Sequence, residues 1–169
     1  MYENILFPTD GSDGAATALD HARDIAESYD AALHVLNVVD TSSPHIGMTV
    51  KDVEELTPGM IGEERDEVEP GMVGEEHDLS ETVLERSRAL VERAASEVDS
   101  VDVVTVVEQG TPHRAILDYA AENDIDLVVM GTHGRTGIER YLLGSVAEKV
   151  VRTSEVPVLT VRLGEDEEQ

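Results

Sequence analysis

Residues Asp126–Val161 read DLVVMGTHGRTGIERYLLGSVAEKVVRTSEVPVLTV. The segment opens on a strand over Asp126 to Met130, whose continuous apolar run Leu127-Val128-Val129-Met130 suits burial on both faces. A glycine-rich loop follows from Gly131, then a helix over about Gly144 to Arg152, then a second β-branched run over Val156 to Val161. A strand, a crossover helix and a strand in succession place the two strands parallel in one sheet.

The same alternation extends back to the first residues. Ile5-Leu6-Phe7 is a short strand that stops at Pro8, and Leu33 to Val39 is a second, β-branched strand. Between them, Asp13 to Ser28 carries Ala16, Leu19, Ala22, Ile25 and Ala26 at helical spacing, with Ser12 or Asp13 available as N-cap. Leu79 to Val98 repeats apolar residues at Val83, Leu84, Leu90, Val91, Ala94 and Ala95, one long helix, and Val101 to Val107 is a third strand. Thr111-Pro112 opens the next helix with a cap residue and a proline at the first helical position; Ala115, Ile116, Tyr119 and Ala120 form its buried stripe. The order β-α-β-α-β-α-β-α-β predicts an α/β fold, a single-domain open parallel five-stranded sheet with helices on both faces.

The stretch 41–78 breaks this rhythm. It holds Pro44, Pro58 and Pro70 with several glycines and acids, and it is far longer than the usual connection of about 4–6 residues. Within it Pro58-Gly59-Met60-Ile61-Gly62-Glu63-Glu64-Arg65-Asp66 recurs as Pro70-Gly71-Met72-Val73-Gly74-Glu75-Glu76-His77-Asp78, a twelve-residue period repeated only twice and so too short for a solenoid. Local duplication in a tolerant loop accounts for it. A flap that docks Met60, Ile61, Met72 and Val73 over a site or onto a protein partner is the sharper alternative. The expected organisation is one domain over 1–163, an acidic insertion at 41–78 and an acidic tail at 164–169.

Composition narrows the function classes. The 169 residues carry 37 Asp plus Glu against 12 Lys plus Arg, a net charge of −25, and the only lysines are Lys51 and Lys149. Such a surface repels nucleic acid and anionic membranes, which are bound through clustered cations. High charge with few aromatics is also a disorder signature, but 40% of the chain is hydrophobic and falls in compact periodic blocks. The excess of acid instead suits a folded, halophile-like protein in a salt-rich cytoplasm, where screening shortens self-repulsion. There is no cysteine, hence no disulfide and no thiolate metal site. No apolar run reaches the roughly 20 residues of a membrane span, and Met1-Tyr2-Glu3-Asn4 lacks the basic start of a signal peptide. A cytoplasmic location is the expectation.

Chemistry is expected at the carboxyl ends of strands, where open parallel sheets bind ligands. Three segments fall there: Pro8-Thr9-Asp10-Gly11-Ser12, Asn37-Val38-Val39-Asp40, and Gly131-Thr132-His133-Gly134-Arg135-Thr136-Gly137 continuing to Gly144-Ser145-Val146. Glycines at 131 and 134 let backbone N–H groups approach phosphate oxygens with no Cβ in the way. Gly144-Ser145 opens a helix whose unpaired N–H groups and positive dipole end favour an anion. Ser145 can add a hydroxyl, or serve simply as an N-cap, and Arg135 can reach a terminal phosphate or stand as a surface cation. Asp10 suits either a turn-capping role or a ligand role. His133 reads as a solvated loop residue rather than a general base, and His21, His34, His45, His77 and His113 show no metal-ligand spacing. Pro157 places the last strand at a sheet edge, because proline cannot donate within a central ladder. Pairing that edge with a second copy would remove an aggregation liability.

Gly131-x-x-Gly134, nine residues and then Gly144-Ser145 resembles the ATP-binding signature of universal stress proteins. The resemblance extends to Ile5-Leu6-Phe7-Pro8-Thr9-Asp10, Asn37-Val38-Val39-Asp40 and Val156-Pro157-Val158-Leu159-Thr160-Val161, nearly the whole chain apart from the insertion and the tail. It implies strand order 3-2-1-4-5 and a homodimer paired through the last strand, Val156 to Val161. It further implies that Pro8, Thr9 and Asp10 line the adenosine end or a metal, Asp10 being the candidate for Mg²⁺, and that Val38 backbone groups read adenine. Met130, Gly131, His133, Gly134, Arg135, Gly144, Ser145 and Val146 would surround the ribose and phosphates. A Mg²⁺ ion would offset the many carboxylates around the polyanion.

An enzyme working by phosphoryl transfer would need an activated nucleophile, a base and cationic clamps. No lysine follows the glycines as in G-x-x-x-x-G-K-[ST], and no Gly-x-Ser-x-Gly elbow is present. A response-regulator receiver would need an aspartate after strand three, where this chain has Glu108-Gln109-Gly110. The expectation is therefore an ATP-binding regulatory protein of the stress response with slow hydrolysis at most. The alternative is a dimeric scaffold whose nucleotide site is vestigial.

Overall fold

The computed structural model describes residues 1–42, 75–133 and 143–162. Among the described residues nine elements follow one another: β1 (Asn4–Pro8), α1 (Asp13–Tyr29), β2 (Ala32–Asp40), α2 (Glu75–Ser96), β3 (Val103–Gly110), α3 (Pro112–Glu122), β4 (Leu127–Gly131), α4 (Ser145–Thr153) and β5 (Val158–Val161). The strands form one five-stranded sheet in the order β3-β2-β1-β4-β5, and every pairing is parallel. This is the α/β architecture and the strand order expected above.

Alternation along the central strands sends side chains to two cores. Ile5 and Phe7 pack with Ala15, Ala18, Leu19, Ala22 and Ala26 of α1 and Val91 of α2. Leu6, between them in sequence, packs on the opposite face with Ile116, Tyr119 and Ala120 of α3 and Ala147 and Val150 of α4. The small alanines of α1 let that helix lie close to the sheet. The largest fully buried side chains are Phe7, Ile5, Leu6, Leu33, Leu36, Val35, Val128, Val129 and Val150, all but the last from β1, β2 and β4. Each contributes roughly 1.5–3 kcal/mol relative to exposure. The loops that leave β1 and β4 therefore stand on strands buried on both faces.

Three elements differ from the sequence reading by two residues or more. β3 is displaced towards its polar end, Val103–Gly110 rather than Val101 to Val107, because it is an edge strand with half its residues exposed and its pairing runs on through Glu108↔Val38, Gln109↔Val39 and Gly110↔Asp40. β5 begins at Val158 rather than Val156. Pro157 has no N–H for the ladder, but its carbonyl accepts the Val128 N–H at 3.0 Å, so it closes the strand from outside. α2 begins at Glu75, so the last four residues of the second repeat copy are helical; the rest of the 41–78 stretch from residue 43 lies outside the described residues, as does the tail. Among the described residues no helix is long and apolar enough to cross a membrane.

Candidate functional site

The chain order reverses between β1 and β4, since β1 leads on to β2 on one side and β4 to β5 on the other. That reversal opens a crevice at the carboxyl ends of these two strands. Thr9, Asp10 and Gly11 leave β1 there and enter α1; Thr132 and His133 leave β4, and Gly144 returns the chain into α4.

The β1–α1 turn is held by a ladder of short-range bonds. The Thr9 N–H donates to the Leu36 carbonyl at 2.8 Å, and the buried Asn37 side chain donates through Nδ2 to the Thr9 carbonyl at 2.7 Å. The Gly11 N–H reaches Thr9 Oγ1 at 3.2 Å and the Ser12 N–H reaches Asp10 Oδ1 at 3.0 Å. Ser12 is the N-cap of α1: its hydroxyl accepts the Ala15 N–H at 3.3 Å and its carbonyl accepts the Ala16 N–H at 3.1 Å. Gly11 sits at φ +77 in the left-handed region, and a Cβ there would lie 2.7 Å from Leu90 Cδ1 of α2. Asp10 thus has one carboxylate oxygen engaged in the turn that leads to the cap, while Ser12 rather than Asp10 or Asp13 caps the helix.

The β4–α4 side is anchored with equal economy. The buried Thr132 donates its N–H to the Val161 carbonyl at 2.9 Å and accepts the Gly144 N–H at 2.7 Å, which joins the two ends of the glycine-rich loop. Its Oγ1 lies 2.9 Å from His133 Nδ1. Gly144 is the N-cap of α4 with φ −59 and ψ 153, and Ser145 is the first helical residue, so the capping role considered for Ser145 falls to Gly144. The Glu148 N–H makes the first helical bond, to Gly144 O at 2.8 Å. The amides of Ser145, Val146 and Ala147 have no acceptor within the helix. They are the donors that this end offers an anion.

The two sides meet through glycines. A Cβ on Gly131 would lie 2.9 Å from the Gly14 carbonyl oxygen and 3.0 Å from its carbon, and a Cβ on Gly14 would lie 3.2 Å from the His133 carbonyl oxygen. The first turn of α1 is therefore packed backbone to backbone against the end of β4. Gly131 lacks a side chain because α1 occupies that space, a packing role the sequence reading did not assign. Met130 is buried and Val38 and Val146 are half-buried; all three side chains join the core on the α3 and α4 face.

The structure thus brings Pro8, Thr9, Asp10, Val38, Met130, Gly131, His133, Gly144, Ser145 and Val146 to the carboxyl end of the sheet. Gly134 and Arg135 lie outside the described residues. Asn37 and Thr132 fall within the expected segments but had been given no role of their own, and Gly14 lay outside them; an asparagine inside an otherwise apolar strand was the available signal for the first. Among the described residues no group of three or more His, Cys, Asp or Glu is placed to hold a metal ion, and no buried side-chain polar atom lacks a partner. A Mg²⁺ ion carried on phosphates needs only one or two protein carboxylates, and Asp10, half-buried at the crevice, fits that requirement.

Comparison with known proteins agrees with this fold. A model of the universal stress protein family matches residues 1–162. The chain is 35% identical over 164 residues to universal stress protein MJ0531 of Methanocaldococcus jannaschii, covering 96% of this chain and 83% of the relative. The solved structure of MJ0577, a universal stress protein of the same organism, superposes with a TM-score of 0.74 at 29% identity, over 98% of this chain and 99% of that one. A universal stress protein solved in complex with cAMP shares the fold, with a TM-score of 0.59 at 24% identity over 95% of this chain and 97% of that one. The chain belongs to the universal stress protein family.

Proposed function

We propose that the protein binds ATP with Mg²⁺ in the crevice between β1 and β4 and works as a homodimer in a stress-response or regulatory role. The observation that carries this reading is the convergence of two helix N-termini on one crevice. α1 enters from the Thr9–Ser12 turn and α4 from Gly144, so both helices begin at the carboxyl end of the sheet beside β1 and β4; the α1 end is capped by Ser12, and the α4 end brings a positive dipole end and the amides of Ser145, Val146 and Ala147. The Ser145, Val146 and Ala147 amides receive phosphate oxygens; Asp10 supplies a carboxylate to the metal; the end of β2 at Val38 offers backbone groups to the base. Gly134 and Arg135 belong to the same reading through the sequence resemblance. A cAMP complex of the same fold supports an adenosine phosphate as the ligand class. β5 is an edge strand with Leu159 exposed, which supports pairing between two copies.

Gly144 offers the cleanest test. Its φ of −59 is open to any residue, so a side chain there obstructs the ligand without straining the backbone. Calorimetric titration of Mg-ATP at high salt is expected to give saturable binding to the wild-type chain and none to Gly144→Leu, with unchanged circular dichroism. Equal affinity in the two proteins, or no heat with the wild type, rejects the site.

A further inference from the structure

We propose that Asn37 is a positioning residue for the nucleotide, acting through the Thr9–Asp10 peptide unit; the inference rests on the nucleotide reading above. Asn37 is a buried polar side chain in the second strand, 7% exposed. Its Nδ2 crosses to β1 and donates to the Thr9 carbonyl at 2.7 Å. The Thr9 N–H is already fixed on Leu36 O at 2.8 Å, so β2 holds both backbone polar groups of Thr9.

The consequence follows from peptide geometry. No peptide bond among the described residues is cis, so the Asp10 N–H points opposite to the Thr9 carbonyl. β2 and β4 flank β1 on opposite sides. A Thr9 carbonyl drawn towards β2 by Asn37 turns the Asp10 N–H towards the β4 side, where the crevice lies. The same peptide plane sets the direction in which Asp10 leaves the strand, and with it the carboxylate whose Oδ1 accepts the Ser12 N–H at 3.0 Å. Without the Asn37 donor, the plane is free to rotate and the carboxylate loses its fixed aim at a metal carried on the ligand. Asn37 touches neither ligand nor metal in this scheme.

The test compares Asn37→Leu, near in volume and unable to donate, with Asn37→His, whose Nδ1–H can take the place of the amide nitrogen. ATP affinity is measured with Mg²⁺ and with chelator, alongside amide hydrogen exchange in the nucleotide-free protein. In Asn37→Leu we expect Mg-ATP affinity to fall roughly tenfold, the equivalent of one hydrogen bond, and the ratio of affinities with and without Mg²⁺ to shrink. The Gly11 and Ser12 amides should exchange faster while those of α4 do not, and Asn37→His should recover the Mg²⁺ ratio. Unchanged affinity and ratio in Asn37→Leu overturn the proposal. So does an equal loss with and without Mg²⁺, which marks general loosening. If Asn37→Leu does not fold by circular dichroism, Asn37→Ala is read by the same criteria. A wild-type chain that binds no ATP overturns the nucleotide reading and this inference together, whereas wild-type binding with indifferent variants removes the inference alone.

Discussion

Replacing Gly131 with alanine separates two explanations of the same residue. If Gly131 serves only to let backbone amides approach a phosphate, a methyl group there matters only when ligand is present. The structure predicts otherwise. The added Cβ would sit 2.9 Å from the Gly14 carbonyl oxygen, 3.0 Å from the Gly14 carbonyl carbon and 3.3 Å from the Ala15 nitrogen. All three are backbone atoms in the first turn of α1, so no side-chain rotation relieves the contact. Either α1 shifts, disturbing the Ser12 cap and the Asp10 turn, or β4 bends. Overpacking of this kind costs about 1–3 kcal/mol. For a chain of this size each kcal/mol lowers the unfolding midpoint by about 2–4 °C, so Gly131→Ala should melt about 2–12 °C below the wild type with no nucleotide added. Gly14→Ala is the control: its Cβ meets a single atom, His133 O, at 3.2 Å, and alanine gains up to about 1 kcal/mol over glycine within a helix, which roughly offsets the contact. Thermal unfolding followed by circular dichroism at high salt decides it. An unchanged midpoint for nucleotide-free Gly131→Ala would refute the packing argument.

Three further outcomes are expected. His34 is buried with Nδ1 2.8 Å from the Tyr119 hydroxyl, and burial holds its pKa below the usual value of about 6.5; its contribution to stability is therefore complete above that pH and is lost as the pH falls below it, because the unfolded chain takes up the proton first. Urea midpoints measured from about pH 7.5 down through that window should fall more steeply for the wild type than for His34→Gln, and parallel curves would contradict this. With a net charge of −25, the chain should unfold at higher temperature as KCl is raised, and a midpoint indifferent to salt would remove the case for adaptation to a saline interior. Leu159, 37% exposed on the edge strand β5, should release monomers when changed to lysine; light scattering that finds a wild-type monomer ends the pairing proposal.

The fold was legible because apolar runs and helical stripes alternate along nearly the whole chain, and that alternation leaves few topologies. Where the reading slipped, the cause was local. β3 ends in Glu108-Gln109-Gly110, polar residues that a search for apolar runs discards, yet as an edge strand it can expose them and still complete its ladder to Val38, Val39 and Asp40. Val156 packs against the α3 and α4 core and so resembles a strand residue, but the ladder waits for Val158 because Pro157 supplies only its carbonyl. α2 begins in the acidic Glu75-Glu76 of the repeat, ahead of the apolar stripe that revealed the rest of it.

The site was legible as a set of segments but not as a set of roles, and the glycines show why. Gly131 and Gly144 look alike in the sequence, since both leave room at a strand-to-helix connection. What fills that room comes from elsewhere: at Gly131 it is the backbone of Gly14, more than a hundred residues earlier in the chain. At Gly144 the N–H is already spent on Thr132 O, so the residue closes the loop, and an anion at the proposed site would meet the three amides that follow. Gly131 is consequently a requirement of packing α1 against the end of β4, whatever its backbone also offers a ligand. A chain that lost its ligand would still need Gly131 to seat α1, whereas Gly144, with its unstrained backbone, would be free to change. Gly144 is thus the better mark of a working nucleotide site.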